Sequence, residues 1–408
     1  MTLPAIRQID AFPIEHEGRQ FICLRDTEGI VQEQLLLTPL AFFIACQLNG
    51  QNDVSDIQHA FARQFSGQIL RSADVQEVVE MLDKGGFLQS EQFFAMRQRV
   101  EDVFTASTTR PAYLAGTSYP EHPEQLGVFL DTFFTRQDGP GARPNATQQH
   151  DRPARCLIVP HIDFHRGGHA YAHGYLEFFK RGRPQTVFIF GVAHASPPVP
   201  FILTRKNYDT PFGMLKTDQN IVQRLENACD WDPYAHEQVH RTEHSIEFQA
   251  VMLAYLYGPD VRIVPILCGL FGPELAPGTA IAENVDAFLS ACRDIIISAS
   301  EQVCVIAGAD LAHVGRRFGD AFDISETIIS TVATRDREDL QHVVAGNADR
   351  FYQSVMKDRN QRRVCGLNCI YAALKSLDGM VQSGQLLHYD YAHDPAGGIV
   401  SFANVLFT

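Results

Sequence analysis

Four polar side chains stand out for the chemistry they could do together. His161 follows the apolar run Cys156–Val159, His194 follows Val187–Gly191, and His313 follows Val303–Ala307. Each run is short, rich in β-branched or aromatic residues and closed by polar ones, as a buried strand is. In an open α/β sheet the carboxyl ends of the strands form the rim of the functional crevice, so three strands should bring three imidazoles to one rim. Asp310, three residues before His313, shares that position. A lone histidine after a strand is usually structural, but three among the chain's 16 histidines point to a site. The fourth side chain is Cys365 in RRVCGLNCIYAALKSL, where helical periodicity resumes directly after the cysteine. A thiol at a helix N-terminus is expected to have a lowered pKa and to favour the thiolate, the form that ligates metals. The bland alternative is a small apolar filler, which is also how Cys369, one turn later, is read.

A second pattern competes. His236-Glu237-Gln238-Val239-His240 matches H-E-x-x-H, which on a helix would place two zinc ligands on one face beside a general base. Pro233 just upstream and few apolar anchors at 236–240 argue against a helix there. The next helix is expected to begin near Glu243, with Ile246, Met252 and Leu253 in the core. A zinc peptidase is therefore the remote reading.

These residues need a scaffold. With 408 residues, two domains are the first expectation. Over Phe12–Arg99 the pattern is of short strands at Phe21–Leu24 and Leu35–Leu37, followed by three helices. Thr38-Pro39 starts the first and Asn49-Gly50 stops it, Ser55 is expected to cap the second, and Lys84-Gly85-Gly86 ends the third before an extended Phe87-Leu88. Beyond residue 105, strand-like and helix-like segments alternate, the mark of an α/β sheet covered by helices. Helices are predicted over His169–Phe179, Ile221–Cys229, Ile246–Tyr257 and Ile281–Ile297, and further strands over Ile263–Cys268, Leu386–Tyr391 and Ile399–Phe407. Arg136–Ala154, rich in Gly and Pro, reads as a loop within the second domain. The boundaries are 1–105 and 106–408.

Charge and cysteine usage narrow the function. The net charge of −14 disfavours nucleic acid or an anionic membrane as partner. Residues 1–100 carry 8 Lys and Arg against 13 Asp and Glu, the wrong balance for a duplex-binding winged helix. No apolar run approaches the ~20 residues of a membrane span. The N-terminus carries no secretory signal pattern, and nine cysteines at irregular spacing fit free thiols, so a cytoplasmic location is expected.

The segments PHIDF, FGVAH, YDTPFGMLKTD, TEHSIE, GADLAHVG and VCGLN, with AGTSYP at Ala115–Pro120, resemble the Memo family in order and spacing. That family is similar in fold to class III extradiol dioxygenases. The resemblance implies a metal among His161, His194 and Cys365, with His313 beside Asp310 at the place of the dioxygenases' acid/base histidine and His244 on the pocket wall. Two imidazoles and a thiolate suit Fe(II), Cu(I) or Zn(II) better than magnesium or calcium. Iron leads on the dioxygenase likeness, and copper follows because a thiolate replaces the expected carboxylate. An AMMECR1-like protein and a radical SAM enzyme are the partners implied. This chain departs from the family where PHAGY reads PHIDF, where small-Ser-His reads VAH, and at Val314, where an aromatic is frequent. The first domain, on ICLRDTEGIVQEQLLLTPLAFFIACQLNGQNDVSDI and VQEVVEMLDKGGFLQ, resembles PqqD-like winged-helix modules, which bind peptides. Three functions follow as expectations: a redox-related metal protein, an Fe(II) dioxygenase acting on a small aromatic, or a peptide-binding module in a former catalytic pocket.

Overall fold

The computed structural model describes residues 2–150, 152–271, 275, 278–299 and 302–408. Asp151, within the expected loop at 136–154, lies outside the described residues. The chain divides into two compact units, Met1–Ala106 and Ser107–Thr408.

The first unit opens with an antiparallel three-stranded sheet, β1 (Asp10–His16), β2 (Arg19–Arg25) and β3 (Leu35–Leu37). Helices α1 (Pro39–Gln47), α2 (Val54–Gln64), α3 (Ser72–Lys84) and α4 (Glu91–Ala106) follow. Ser55 does not cap α2. Asp53 does so two residues earlier, because its carboxylate takes the Asp56 N–H while Asp56 returns the bond in a capping box. The expected wing is reduced to a single bridge between Leu88 and Ile6. Leu24, Leu37, Ile44, Ile57, Val75 and Leu82 form the core.

In the second unit β4 (Thr109–Arg110) precedes α5 (Pro123–Thr135) and β5 (Cys156–Val159). Helix α6 (Phe164–Lys180), β6 (Thr186–Val192), β7 (Phe201–Leu203), β8 (Asn207–Tyr208) and α7 (Gln219–Glu226) come next. Then follow α8 (His244–Tyr257), β9 (Arg262–Cys268), α9 (Ala280–Ser298), β10 (Val303–Gly308) and β11 (His313–Gly315). The chain closes with α10 (Glu326–Val344), α11 (Ala348–Met356), α12 (Leu367–Ser376), β12 (Gln385–Asp394) and β13 (Gly398–Phe407).

Strand order is β11-β13-β5-β10-β6-β9-β7, and among the described residues β12 pairs only with β13. The central four, β5-β10-β6-β9, are parallel, and antiparallel strands flank them, giving a mixed sheet. Side chains alternate between faces: Ile158, Phe188, Val264 and Val305 pack beneath α9 and α12, while Leu157, Ile189, Ile263 and Ile306 pack beneath α6 and α8. Both faces are covered, so the strands are continuous apolar runs, which is why they were legible. Helix α6 begins five residues earlier than the apolar pattern predicts, since the Asp163 carboxylate caps it through Arg166 N–H at 3.2 Å. Among the described residues no helix is long and apolar enough to cross a membrane.

Candidate metal centre

The ends of β5 and β6 deliver His161 and His194 to the carboxyl rim of the sheet. Two backbone approaches complete the setting. Gly308 ends β10, and a Cβ there would lie 2.6 Å from the Ser245 carbonyl, so only glycine lets the N-terminus of α8 settle on the strand ends. At Gly366 a Cβ would meet Asp310 O and Ala309 Cβ at 2.5 Å; its absence lets Cys365 lie against the β10 exit.

His161 is almost wholly buried. Its Nδ1–H donates to Gly308 O at 2.8 Å, which leaves the Nε2 lone pair facing Cys365 Sγ at 3.4 Å. His194 is half-exposed, and its Nδ1–H donates to the Glu243 carboxylate at 3.0 Å, freeing Nε2 as well. Glu243 caps α8 and also receives the His194 and Ser245 N–H groups, both at 3.0 Å. Arg110, fully buried, fixes that turn by donating to the carbonyls of His240 and Glu243 and pairing with Glu247, to which Tyr119 also donates. One donor atom each from His161, His194 and Cys365 lies within 4.8 Å of the others.

Burial would lower His194, but the Glu243 carboxylate outweighs it and raises its pKa, so an ion at Nε2 must displace a proton. Burial, then the neighbouring His194 and His244, hold His161 well below its ordinary pKa, so it is a neutral ligand. Burial would raise Glu243, but His194 and His244 outweigh it and keep the carboxylate ionised. For Cys365 the sequence expectation fails. Burial, followed by Asp310, pushes the thiol well above its usual value, overriding any benefit from the start of α12. A thiolate there calls for a positive partner other than the helix dipole. A tetrahedral ion with nitrogen at about 2.0–2.1 Å and sulfur at about 2.3 Å sets those two donors about 3.5 Å apart. The Cys365–His161 separation of 3.4 Å fits, so the residues present suit a transition metal.

Other predicted residues fall differently. His244 stacks on His194 with ring centroids 4.7 Å apart and meets His161 edge-on at 5.3 Å, so it lines the same cluster. Asp310 receives the N–H groups of His161 and Ile162 at 2.9 and 3.2 Å and orders the turn after β5. Its burial raises its pKa. His313 is not within the donor cluster. Its Nδ1 is held by the carbonyls of Leu311 and Arg363 at 3.1 and 3.2 Å, and its ring meets Phe318 edge-on. The segment 237–241 is a 3-10 turn, not an α-helix. Both ring nitrogens of His240 are occupied, by Tyr208 OH at 2.8 Å and Ile202 O at 3.1 Å, so the peptidase geometry is absent. Glu243 escaped the sequence reading; its only signal is its place as the helix cap directly before His244. All nine cysteines are free, and Cys369 is core packing.

A groove of about 1590 Å³ opens beside His194 and Cys365 and runs past Phe271 and Tyr371 to Asp349 and Lys375. The comparisons with known proteins agree with this architecture. The model of a family described as Memo-like protein matches residues 110–405. A MEMO1 family protein of Aquifex aeolicus is 27% identical over 407 residues, 99% of each chain. One from Desulfurococcus amylolyticus is 26% identical over 305 residues, 73% of this chain and 98% of its own. Another, from Thermus thermophilus, is 26% identical over 318 residues, 76% of this chain and 86% of its own.

Proposed function

Because the chain belongs to the Memo-like protein family, we propose that it is a redox-related metal protein whose ion is held by His161, His194 and Cys365. The observation that carries this reading is the convergence of three donors from separate segments, each histidine having its second nitrogen engaged so that Nε2 remains. Carboxylate or carbonyl partners of this kind fix the tautomer and direction of a ligating imidazole. The donor set favours iron or copper over magnesium or calcium, with zinc the redox-silent alternative. Bound there, such an ion would supply electron transfer or Lewis acidity at the head of the groove.

The chain's own residues supply the rest. His313 donates from Nδ1 to two carbonyls, so its basic atom is Nε2. Burial lowers its pKa against the pull of Asp310, so the ring is unprotonated near neutral pH and Nε2 is free to accept a proton. Phe271 and Tyr371 give the groove an apolar wall for an aromatic or peptide group, and Lys375 and Asp349 give it a polar end. The proposed partners are an AMMECR1-like protein and a radical SAM enzyme, with the acidic N-terminal unit as the peptide- or partner-binding module.

The test is anaerobic purification followed by metal analysis and oxygen uptake with a catechol panel, run beside His313→Ala. Iron or copper in the wild type, with slow or no catechol cleavage, supports the redox reading. Rapid ring cleavage that disappears in His313→Ala would establish a dioxygenase instead. A protein that takes up neither metal would leave only a binding module.

A further inference from the structure

A second group of imidazoles lies away from the rim, between α6 and the edge strand β12. His169 and His173, one helical turn apart, share a face of α6, while His388 and Asp390, two residues apart, share a face of β12. The pairing of β12 with β13 shifts register between Leu386 and His388, the kind of bulge that re-aims a side chain. His169 Nε2 lies 3.0 Å from Asp390 Oδ2, and His388 Nε2 lies 3.9 Å from the same oxygen. The donors of His169, His388 and Asp390 all fall within 4.8 Å of one another.

We propose that His169, His388 and Asp390 form a second metal site, selective for a borderline divalent ion such as Zn²⁺. Two neutral imidazoles and a carboxylate, with no thiolate, suit Zn²⁺ and not Cu(I). A tetrahedral zinc ion sets nitrogen and oxygen donors about 3.4 Å apart, between the two distances observed. His388 Nε2 is buried and has no hydrogen-bond partner among the described residues, an orphan that an ion would satisfy. The His388 ring is held for this by His173, stacked on it at 4.4 Å and 11°. Asp138 Oδ2 stands 3.9 Å from His169 Nδ1, on the ring nitrogen that does not face Asp390, and is itself paired with Arg136. Asp390 is partly exposed, so the ion can enter from solvent and keep a water. Because among the described residues β12 pairs only with β13, an ion here would pin that edge strand to α6, the helix that begins three residues after His161.

The site is independent of the Cys365 centre, so the two can be tested apart. Metal-free full-length protein is titrated with Zn²⁺ against a chromophoric chelator, with thermal unfolding followed in parallel. Wild type should take up two equivalents and Cys365→Ser one. Adding His388→Ala or Asp390→Asn to Cys365→Ser should weaken the remaining site at least tenfold and abolish the zinc-dependent rise in Tm. Asp390→Asn keeps the shape of the side chain, so retained folding with lost zinc would answer any doubt about His388→Ala. The proposal is overturned if Cys365→Ser binds no zinc, or if both double variants bind as tightly as Cys365→Ser. Loss of one equivalent in His388→Ala with none lost in Cys365→Ser would support this site and sink the Cys365 centre.

Discussion

His161 and His240 are both buried imidazoles in the same unit, and they come out with opposite chemistry. His161 gives its Nδ1–H to Gly308 and keeps Nε2 toward a sulfur. His240 gives Nε2–H to Ile202 and takes the Tyr208 hydroxyl on Nδ1, so no lone pair is left. The H-E-x-x-H spacing brings two histidines together only at 3.6 residues per turn. His236 lies before the 3-10 turn Glu237–Arg241, with φ −119° and ψ 26°, so the two histidines do not share one face of an α-helix. A histidine becomes a ligand through the nitrogen its neighbours leave over, and motif spacing alone does not decide that.

Breaking the ligand side of this contrast should have the largest effect. His161→Ala or Cys365→Ala should reduce iron or copper in the purified protein to near background, since three protein donors tolerate the loss of one poorly. Metal analysis after anaerobic purification checks this. Glu243→Gln keeps the helix cap but removes the charge that orients His194, and should weaken metal affinity roughly 10- to 100-fold in a competition titration.

On the other side, His240→Gln should leave metal affinity within about threefold but cost on the order of 2–3 kcal/mol in denaturant unfolding, from lost packing and two buried hydrogen bonds. Its pH dependence sharpens the point. Burial pushes His240 down to about 3, so the folded protein keeps it neutral while the unfolded chain takes a proton below about 6.5. Between those values the unfolded state binds more protons, so this group makes stability fall as pH drops through the window and contributes nothing above it. His240→Gln should remove that slope, measured as the difference in unfolding free energy between pH 7 and pH 4.

The same physics explains what could be read from the chain. The runs at Cys156, Val187, Ile263 and Val303 were legible because both faces of the sheet are covered and every side chain along them is apolar. Their exits then placed His161 and His194. Three-residue strands such as β7 and β11 carry no pattern of their own, whereas α11 escaped the reading although its apolar Phe351, Tyr352 and Val355 do share a face. Glu243 stayed hidden because a glutamate before a helix is unremarkable until the histidine it holds is seen. The thiol of Cys365 was misjudged because helix position is visible in sequence and the depth of burial is not. His313, read as an acid/base residue beside Asp310 and not as a ligand, is held at the start of β11 by two carbonyls on its Nδ1.

The central claim is that Cys365 and the paired histidines hold the ion, and cobalt tests it most directly. Metal-free protein loaded with two equivalents of Co²⁺ should show the near-ultraviolet thiolate-to-cobalt absorption that only sulfur coordination produces. The band should vanish in Cys365→Ser and survive in His240→Gln. A band that persists in Cys365→Ser, or fails to form in the wild type once two equivalents of Co²⁺ are bound, would contradict the account.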